Sequence, residues 1–525
     1  MKLLFALLFI GLAVQASSEY SFPGGFAWGV ASAAYQIEGG WNLDGRGPSI
    51  WDTFSHIPGR VSKNQTGDVA DDFYHRYPED IAMMQKMGIR HFRMSLSWSR
   101  LLPKGTVDQV NEEGVKFYND LLDALWAAGI EPWVTLYHWD LPQALDDHTD
   151  NGGWLNPNIS EVFNQYADFC FKTFGGKIKK WLTFNEISTF AWGGYAGGYH
   201  APGRCSPDVG SWCKEVGGGG NTSTEPYIVV HHVMIGHGLA VQTYRNKYQK
   251  AQNGTIGLTI NCGYSYPFDP NNADDVRAVD INLNFSCGYY GDPVVFGKYP
   301  DIMHEYIGSR LPNFTEAQSQ LLKGSYDFIG INYYTSKYVR YTGIPGNSSQ
   351  NDARLYETPT NVNGHLIGPY ADSSWLNVYA PGFRDTINWF HKRYNHPLIY
   401  IFENGVSCPG ESTLPLEQAL NDTFRVNYLR DHIAQMVLAI VADKVNVQGY
   451  FSWSIIDNFE WTDGYGVRFG MTYIDYENGL TRYPKNSAKW YSLLINHTQS
   501  VQNGEHVHKL VHSIQIPPAT NKIVM

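Results

Sequence analysis

The sequence predicts an α/β fold, a single (β/α)₈ TIM barrel with long loops over its C-terminal face. Short apolar runs, rich in β-branched and aromatic residues, alternate with stretches compatible with helices, which is typical of β/α repeats. The run 398–403 is apolar at successive positions, which favours a strand in a parallel sheet covered on both sides. The eight runs are 26–31, 89–98, 132–137, 181–185, 256–261, 328–334, 398–403 and 447–453.

The stretches between these runs carry helical spacing and stop signals. Val115, Tyr118 and Leu122 fall on one helical face, and Gly129 supplies a C-terminal stop before the next run. Eight β/α units predict a closed barrel, and an open doubly wound sheet is the alternative. Long connections rich in Gly, Pro and Ser, such as 343–372, would build the rim of a cleft.

Both ends of the chain are predicted to lie outside this domain. Residues 1–16 are expected to be a signal peptide, because Lys2 precedes an apolar run and Ala16 ends a small-residue cleavage motif. That run is too short for a membrane anchor. The domain itself is predicted over 17–500, and the polar stretch 501–525 is predicted to be a C-terminal tail.

Composition narrows the possible partners. The chain has 525 residues with a formal net charge of −11, and it carries no long Lys/Arg run. Neither nucleic acid nor an anionic membrane is therefore expected as a partner. The aromatic content of 15% fits either a large core or a cleft that stacks on sugars.

Nine N-glycosylation sequons agree with export and predict a glycoprotein. They begin at Asn64, Asn158, Asn221, Asn253, Asn284, Asn313, Asn347, Asn421 and Asn496. Cys205 and Cys213 are close enough to form a disulfide bond that closes one loop in an oxidising compartment. Spacing leaves open whether the other four cysteines pair: Cys170, Cys262, Cys287 and Cys408.

Two of the apolar runs deliver a glutamate. The run 398–403 ends at Glu403, before the turn pair Asn404-Gly405, and Glu186 directly follows 181–185. Parallel α/β folds place their chemistry at these C-terminal strand ends. Cleavage of a glycosidic bond needs two carboxyl groups, one protonated to assist the leaving oxygen and one ionised to attack or to activate water. Most glutamates are solvated surface charges, but a position after an apolar strand argues against that here.

Seven motifs give the chain a resemblance to the β-glucosidases of glycoside hydrolase family one, from about residue 22 to about 494. In order they are FAWGVASAAYQIEG (26–39), FRMSLSWSR (92–100), YHW (137–139), TFNE (183–186), NYY (332–334), IFENG (401–405) and SWSIIDNFEW (452–461). Two departures stand out. Ile187 occupies a position where the family usually has Pro, and Phe402 one where it usually has Thr, which puts local backbone packing in doubt more than activity.

The resemblance implies that Glu403 is the nucleophile and Glu186 the general acid/base of a retaining reaction. Arg93 and Tyr334 would hold Glu403 ionised, since a guanidinium and a donated hydrogen bond both favour a carboxylate. Asn332 would support the same centre. The residues implied to bind the sugar are Gln36, His138, Trp139, Asn185, Trp453, Glu460 and Trp461, with Trp453 as the stacking floor.

The function expected on these grounds is a secreted retaining β-glucosidase, exported or held in the secretory or vacuolar lumen. It would release terminal non-reducing β-D-glucosyl residues from small-molecule or oligosaccharide O-glycosides. Glu460 would repel a 6-phosphate, and a glutamate rather than a glutamine at Glu186 favours an O-glycoside over a thioglycoside. We expect no cofactor and no metal.

Three rivals stay open: a thioglucosidase, a transglycosidase and a non-catalytic carbohydrate-binding protein. The last is disfavoured because both Glu186 and Glu403 are present. The aglycone, the choice among glucose, galactose and fucose, and the oligomeric state cannot be read from the residues.

Overall fold

A computed structural model describes residues 22–147, 149, 151–209, 213, 219–346 and 348–502. The predicted signal peptide (1–16) lies outside the described residues, as does the predicted tail beyond Gln502. Within these ranges the strands are β1 (Ala27–Ala31), β2 (His91–Ser95), β3 (Glu131–Tyr137), β4 (Lys180–Asn185), β5 (Thr255–Asn261), β6 (Ser265–Pro267), β7 (Phe328–Asn332), β8 (Lys337–Tyr341), β9 (Leu355–Thr358), β10 (Ile399–Glu403), β11 (Val447–Trp453), β12 (Thr472–Asp475) and β13 (Thr481–Pro484).

Eight of these strands close into a parallel barrel. Around the barrel they follow in the order β1, β2, β3, β4, β5, β7, β10 and β11, and β11 pairs back onto β1. Each predicted run overlaps one barrel strand, so the predicted (β/α)₈ barrel is confirmed. Closure excludes the open doubly wound sheet, which would leave β1 and β11 unpaired with each other.

The two remaining sheets are small and sit outside the barrel. Strands β12 and β13 form an antiparallel pair, and β6, β8 and β9 form a three-stranded sheet. Only β9 of the three-stranded sheet lies in the connection 343–372 that was predicted to build the rim.

The helices surround the barrel strands. Within the described ranges they are α1 (Ala34–Ile37), α2 (Ile50–Ser55), α3 (Phe73–Lys86), α4 (Trp98–Leu101), α5 (Glu112–Ala127), α6 (Ile159–Phe174), α7 (Ile187–Trp192), α8 (Glu225–Lys247), α9 (Gln249–Gln252), α10 (Ala273–Leu283), α11 (Tyr289–Phe296), α12 (Asp301–Ile307), α13 (Glu316–Leu322), α14 (Ala380–Arg393), α15 (Leu416–Ala419), α16 (Thr423–Val441) and α17 (Asn486–Gln502). None of these described helices has the length and apolar character needed to cross a bilayer.

Helix α5 shows why the sequence spacing was informative. Tyr118 and Leu122 are buried, and Val115 packs partly buried on the same face. Glu112 opens the helix, where a negative charge meets the positive end of its dipole. Gly129 follows with φ +73°, a left-handed conformation that ends a helix at little cost for glycine.

Aromatic side chains fill the inside of the barrel. The ring centroid of Trp133 lies 4.8 Å from that of Tyr400, 5.7 Å from that of Phe402 and 5.2 Å from that of Phe451. Phe328 adds a further contact with Tyr400 at 5.3 Å. These rings come from β3, β7, β10 and β11, so they bridge opposite sides of the barrel and make its floor a packed core. Phe402, which departs from the family pattern, belongs to this core.

Two disulfide bonds are present in the described residues, one within a single loop and one beside barrel strand β5. Cys205 bonds to Cys213, as predicted, and Cys262 bonds to Cys287, a pair that spacing left open. Cys262 directly follows β5, and Cys287 lies in a π-helical turn, Asn284–Gly288. Cys170 and Cys408 are free thiols, both buried.

Candidate active site

The residues expected to act together lie at the C-terminal edge of the barrel. Glu403 and Asn332 are the last residues of β10 and β7, and Arg93 lies within β2. Glu186 directly follows β4, and Tyr334 comes two residues after β7. Hydrogen bonds join these side chains, together with that of Asn185, into one cluster.

At the end of β4 the side chains no longer alternate between the inside and the outside of the barrel, and this irregularity points Asn185 into the barrel mouth. The ammonium of Lys180 lies 5.1 Å from the ring of Trp133 inside the barrel, so a period of two would also turn Phe184 inward. Phe184 instead packs outward on Phe163 of α6, because β4 shifts its register with β5 before Asn185. An extra residue of this kind re-aims the side chains that follow it, and Asn185 faces into the barrel mouth.

A similar irregularity aims Glu403. Phe402 faces the barrel interior, so regular alternation would turn the next side chain out toward the helices. The pairing of β10 with β7 shifts its register just before Glu403. The carboxyl group therefore enters the barrel mouth, where it meets Arg93 and Tyr334.

Three site residues have left-handed backbone conformations that non-glycine residues rarely adopt. The φ angles are +46° at Glu186, +78° at Trp139 and +52° at Trp461. Each such residue costs about 1–3 kcal/mol, and they cluster at ligand sites where the surrounding structure holds them. At Glu186 the turn ends β4 and starts α7, and its amide donates to the Thr259 carbonyl at 3.1 Å.

Glu403 accepts a hydrogen bond on each of its oxygens. Arg93 forms a buried ion pair with Oε1, and the Tyr334 hydroxyl donates to Oε2 at 2.6 Å. Burial and the nearby charge of Glu403 raise the pKa of Tyr334 well above its usual range, so this hydroxyl keeps its proton. Both contacts therefore present donors to Glu403.

Glu186 lies in a different environment. Asn332 Nδ2 donates to Oε1 at 2.7 Å, and the Thr189 hydroxyl donates to Oε2 at 2.8 Å. No cation is paired with this carboxyl group among the described residues. Burial and the charge of Glu403 raise the pKa of Glu186 to about 7, although the two donors and Arg93 act in the opposite direction.

A short chain of contacts connects the two carboxyl groups. Arg93 donates to Asn185 Oδ1 at 2.5 Å in addition to its ion pair with Glu403. Asn332 donates to the same Asn185 oxygen at 3.1 Å and also to Glu186. One guanidinium and two amides thus fix the carboxyl groups relative to each other.

Four predicted sugar-binding or supporting residues carry a buried polar atom without a partner among the described residues. These atoms are Gln36 Oε1, His138 Nδ1, Asn332 Oδ1 and Glu460 Oε1. Buried polar atoms in native proteins are nearly always paired, so these four atoms around one cleft are available to water or to a polar ligand.

The hydrogen-bond partners of Gln36 and His138 determine which of their polar atoms are left to bind a ligand. Gln36 Nε2 donates to Asn458 Oδ1 at 2.8 Å, which leaves its Oε1 as an acceptor. Burial and the charge of Arg93 lower the pKa of His138 well below its usual range, so the ring is neutral. Its Nε2 accepts from Asn185 at 3.1 Å, and its Nδ1 therefore carries the hydrogen and is a donor.

Glu460 is partly buried. Burial, followed by the charges of Asp463 and Glu403, raises the pKa of Glu460 well above its usual range. A carboxyl group in this position can exchange hydrogen bonds with sugar hydroxyls.

Aromatic rings complete the wall of the site. The ring of Trp461 lies 4.4 Å from that of Trp139. The ring of His138 is nearly parallel to those of Trp453, at 6.1 Å, and Trp461, at 6.0 Å. The indole N–H of Trp139 donates to the Asn185 carbonyl at 3.0 Å, so its ring face rather than its N–H is left for a ligand. In the described part of the chain, no three His, Cys, Asp or Glu side chains are grouped as a metal site requires.

The sequence profile described as Glycosyl hydrolase family 1 matches residues 18–500. The chain belongs to this family. It is 45% identical over 506 residues to β-glucosidase 12 of rice (Oryza sativa subsp. japonica), covering 93% of this chain and 97% of that protein.

Two solved structures of family 1 enzymes match the fold closely. A rice Os3BGlu6 β-glucosidase mutant in a covalent complex with Glc has a TM-score of 0.87 and 44% identity, covering 90% of this chain and 98% of that one. A β-glucosidase of the fungus Humicola insolens in complex with glucose has a TM-score of 0.87 and 45% identity, covering 91% and 98%. These findings confirm the predicted family, the barrel and the glycosyl hydrolase class.

Several supporting residues of this family 1 site were not predicted. Asn458 lies within a quoted motif and orients Gln36, but nothing in its spacing assigned that contact. Asn261 ends β5 as Asn332 ends β7, so its place at a barrel-strand end could have indicated it. Thr189 lies three residues after Glu186, a helical neighbour that only the observed start of α7 brings within reach.

Gly405 lets the end of β10 lie against β11 in this family 1 chain. A Cβ built on Gly405 would lie 1.8 Å from the carbonyl oxygen of Trp453, and this neighbour is backbone that cannot swing away. The amide of Trp453 donates to the Asn404 carbonyl at 3.0 Å, which fixes the same approach. Glu403 and the indole of Trp453 are thereby held on adjoining strands.

Gly405→Ala is expected to destabilise the protein by about 1–3 kcal/mol and to lower glycosidase activity, because the methyl group must push β10 and β11 apart. The free energy of unfolding from urea titration and kcat/KM measure the two effects. Gly176→Ala is the matched control, since a Cβ there meets nothing within 4 Å. Equal stability and activity in both variants would contradict the packing argument.

Proposed function

We propose that this chain is a secreted, retaining β-glucosidase that removes terminal non-reducing β-D-glucosyl residues from O-glycosides. The observation that carries the proposal is the unequal setting of two carboxyl groups in one buried cleft. Glu403 is paired with Arg93, while the pKa of Glu186 is raised to about 7 by burial and by the charge of Glu403. Retaining hydrolysis needs one ionised and one protonated carboxyl group.

In the proposed mechanism, Glu186 gives its proton to the glycosidic oxygen as Glu403 attacks the anomeric carbon. The aglycone leaves, and a covalent glycosyl-enzyme forms at Glu403. Glu186, now a carboxylate, takes a proton from water, which attacks the anomeric carbon and releases the sugar. The covalent complex of the related rice enzyme with Glc supports this route.

The unpaired atoms around the cleft suit a sugar with several hydroxyl groups. Gln36 Oε1 and Glu460 Oε1 are acceptors, and neutral His138 offers an Nδ1 donor. Trp453 and Trp461 supply the apolar faces on which the C–H side of a pyranose stacks. Glucose is the proposed glycone, because the rice and fungal relatives are named for it or bound to it.

Glu403→Gln is expected to reduce hydrolysis of an aryl β-glucoside by several orders of magnitude, because an amide cannot form the glycosyl ester. Glu186→Ala is expected to keep most of its kcat/KM on a dinitrophenyl glucoside but to lose about 10²–10⁴-fold in kcat/KM on an alkyl glucoside, whose leaving group needs the proton. Glu477→Ala, at an exposed position, is the control. Equal losses on both leaving groups would contradict the role of Glu186.

The same assay separates the rival functions. A 2-fluoro glucoside should label Glu403, which peptide mass spectrometry detects, whereas a binding protein without catalysis stays unlabelled. Faster cleavage of S- than O-glucosides would favour a thioglucosidase, and glucosyl transfer to an added alcohol in place of water would favour a transglycosidase. Glu186 supports the O-glycosidase, since a thiolate leaving group does not need a general acid.

The alkaline limb of the pH dependence of kcat/KM should reflect the ionisation of Glu186. Its protonated form is needed for the first step, and its pKa is raised to about 7. kcat/KM on an alkyl glucoside should therefore fall as pH rises through about 7 and lose tenfold per further pH unit. Glu186→Ala should lack this limb, and a limb that persists in the variant would assign it to another group.

Two observations support the proposal that the chain is exported: it forms disulfide bonds, and most of its sequons lie at the surface. Of the eight sequon asparagines that the structure describes, seven are exposed, and Asn284 is buried. Asn284 Nδ2 donates to the Asp280 carbonyl at 2.8 Å, and its Oδ1 accepts from Arg393 at 2.8 Å. A glycan on that nitrogen would displace both bonds and the surrounding packing.

In a eukaryotic secretory host, the full chain should enter the medium carrying N-glycans on several exposed sequons and none on Asn284. Enzymatic deglycosylation in H₂¹⁸O, followed by peptide mass spectrometry, reads each site as an ¹⁸O-labelled aspartate. Asn421, an exposed sequon, is the within-chain comparison for Asn284. Label at Asn284 would contradict the burial argument, and a wholly unlabelled intracellular chain would contradict export.

A further inference from the structure

The side chain of Thr189 contacts Glu186 from the opposite side to Asn332. Its hydroxyl donates to Glu186 Oε2 at 2.8 Å, while Asn332 holds Oε1 at 2.7 Å. Thr189 lies in the first turn of α7, and the helix begins directly after Glu186. The hydroxyl and the carboxyl group are therefore fixed by one short piece of backbone.

A second residue fixes the direction of that hydroxyl. Asn261 Nδ2 donates to Thr189 Oγ1 at 3.1 Å. A hydroxyl has one hydrogen, so an oxygen that accepts from Asn261 is free to direct its own hydrogen at Glu186. The amide of Asn261 is in turn oriented by the Ser188 hydroxyl, which donates to its Oδ1.

The backbone around Asn261 is firmly held. It is the last residue of β5, where it lies opposite Asn332 in the register of β7. The next residue, Cys262, donates its amide to the Asn332 carbonyl at 3.1 Å and is bonded to Cys287. Asn332, which donates to Glu186, and Asn261, which donates to Thr189, thus rest on neighbouring barrel strands.

We propose that Asn261 and Thr189 form a positioning relay that orients the Glu186 carboxyl group and stabilises its ionised form. The inference rests on the proposed acid/base role of Glu186. Neither residue touches the substrate in this scheme; each acts through Glu186. The relay favours the second step, in which Glu186 must be a base, and its loss favours the acid form.

The groups around Glu186 define what else could move its titration. Glu403 on β10, Arg93 on β2 and Tyr334 after β7 interact electrostatically with it, and Asn332 donates to it. Burial raises the pKa of Glu186, while the Thr189 hydrogen bond lowers it. A substitution at Thr189 leaves the other groups unchanged, so a shift in the titration reports the relay.

Thr189→Val keeps the shape of the side chain and removes the hydroxyl. The alkaline limb of kcat/KM should move up by about one pH unit, the size expected when a carboxylate loses one hydrogen bond. Asn261→Ala should move it in the same direction by less, and Thr189→Ser should restore the wild-type limb. Thr243→Val, on α8, is the matched control, because it removes a hydroxyl bond to Asn164 on α6 that touches neither carboxyl group.

A second measurement does not depend on turnover. In protein labelled with ¹³C at the glutamate carboxyl carbon, the Glu186 resonance is assigned by its absence from Glu186→Gln and is titrated by NMR. An upward shift in Thr189→Val that Thr189→Ser reverses supports the relay. An unshifted titration, or equal shifts in Thr189→Val and Thr243→Val, overturns it.

The two measurements keep the relay distinct from the proposed function. If the Glu186 resonance shifts while the pH–rate limb stays in place, the acid/base assignment fails and the relay stands. If the wild-type protein does not hydrolyse β-glucosides, the proposed function fails, and the NMR titration still decides the relay.

Discussion

The buried guanidinium of Arg93 is the charge on which the site depends. It is fully buried, pairs with Glu403 and reaches Asn185, so it lies between the two strand ends that carry the carboxyl groups. Burial of several charges in one pocket is costly unless they compensate each other. With Glu403 paired to Arg93, the pocket is electrically balanced when Glu186 carries its proton and His138 is neutral.

The same compensation of buried charges accounts for the shifted pKa values of two other groups in the cleft. Burial and the charge of Arg93 keep the pKa of His138 low, and burial with nearby carboxylates keeps the pKa of Glu460 high. The His138 ring is thereby neutral, and the protonated form of Glu460 is favoured. Neutral groups with a free hydrogen or lone pair are suited to sugar hydroxyls, which are themselves uncharged.

The loop that carries Glu460 and Trp461 rests on a second buried network, separate from the cleft. Asp457 accepts from Arg468 at 2.5 Å and from Lys485 at 2.8 Å. Burial opposes its ionisation, but these cations hold the pKa of Asp457 below its usual range. Such networks position a backbone more reliably than they stabilise a fold. Here the backbone leads from the end of β11 to the rim of the cleft.

The sequence was sufficient for the barrel and for the strand ends, because short apolar runs and their polar last residues are local signals. It could not show to which side of the barrel wall the side chains at those strand ends point. Period-two alternation continued through Phe184 and Phe402 would aim Asn185 and Glu403 incorrectly, and only the register shifts in β4 and β10 correct it. The contact between Thr189 and Asn261 joins α7 to β5 and has no signal in either segment alone. Likewise, the Cys262–Cys287 bond depends on a π-helical turn that spacing does not predict.

The coupling between the two carboxyl groups also bears on how one residue could serve as acid and then as base. The charge of Glu403 is one of the two causes that raise the pKa of Glu186, the other being burial. In the proposed glycosyl-enzyme, Glu403 is an ester and that charge is gone. The hydrogen bonds from Asn332 and Thr189, which favour the carboxylate, then act against burial alone. The pKa of Glu186 should therefore fall at the step that needs a base, and it should rise again when hydrolysis returns the charge to Glu403.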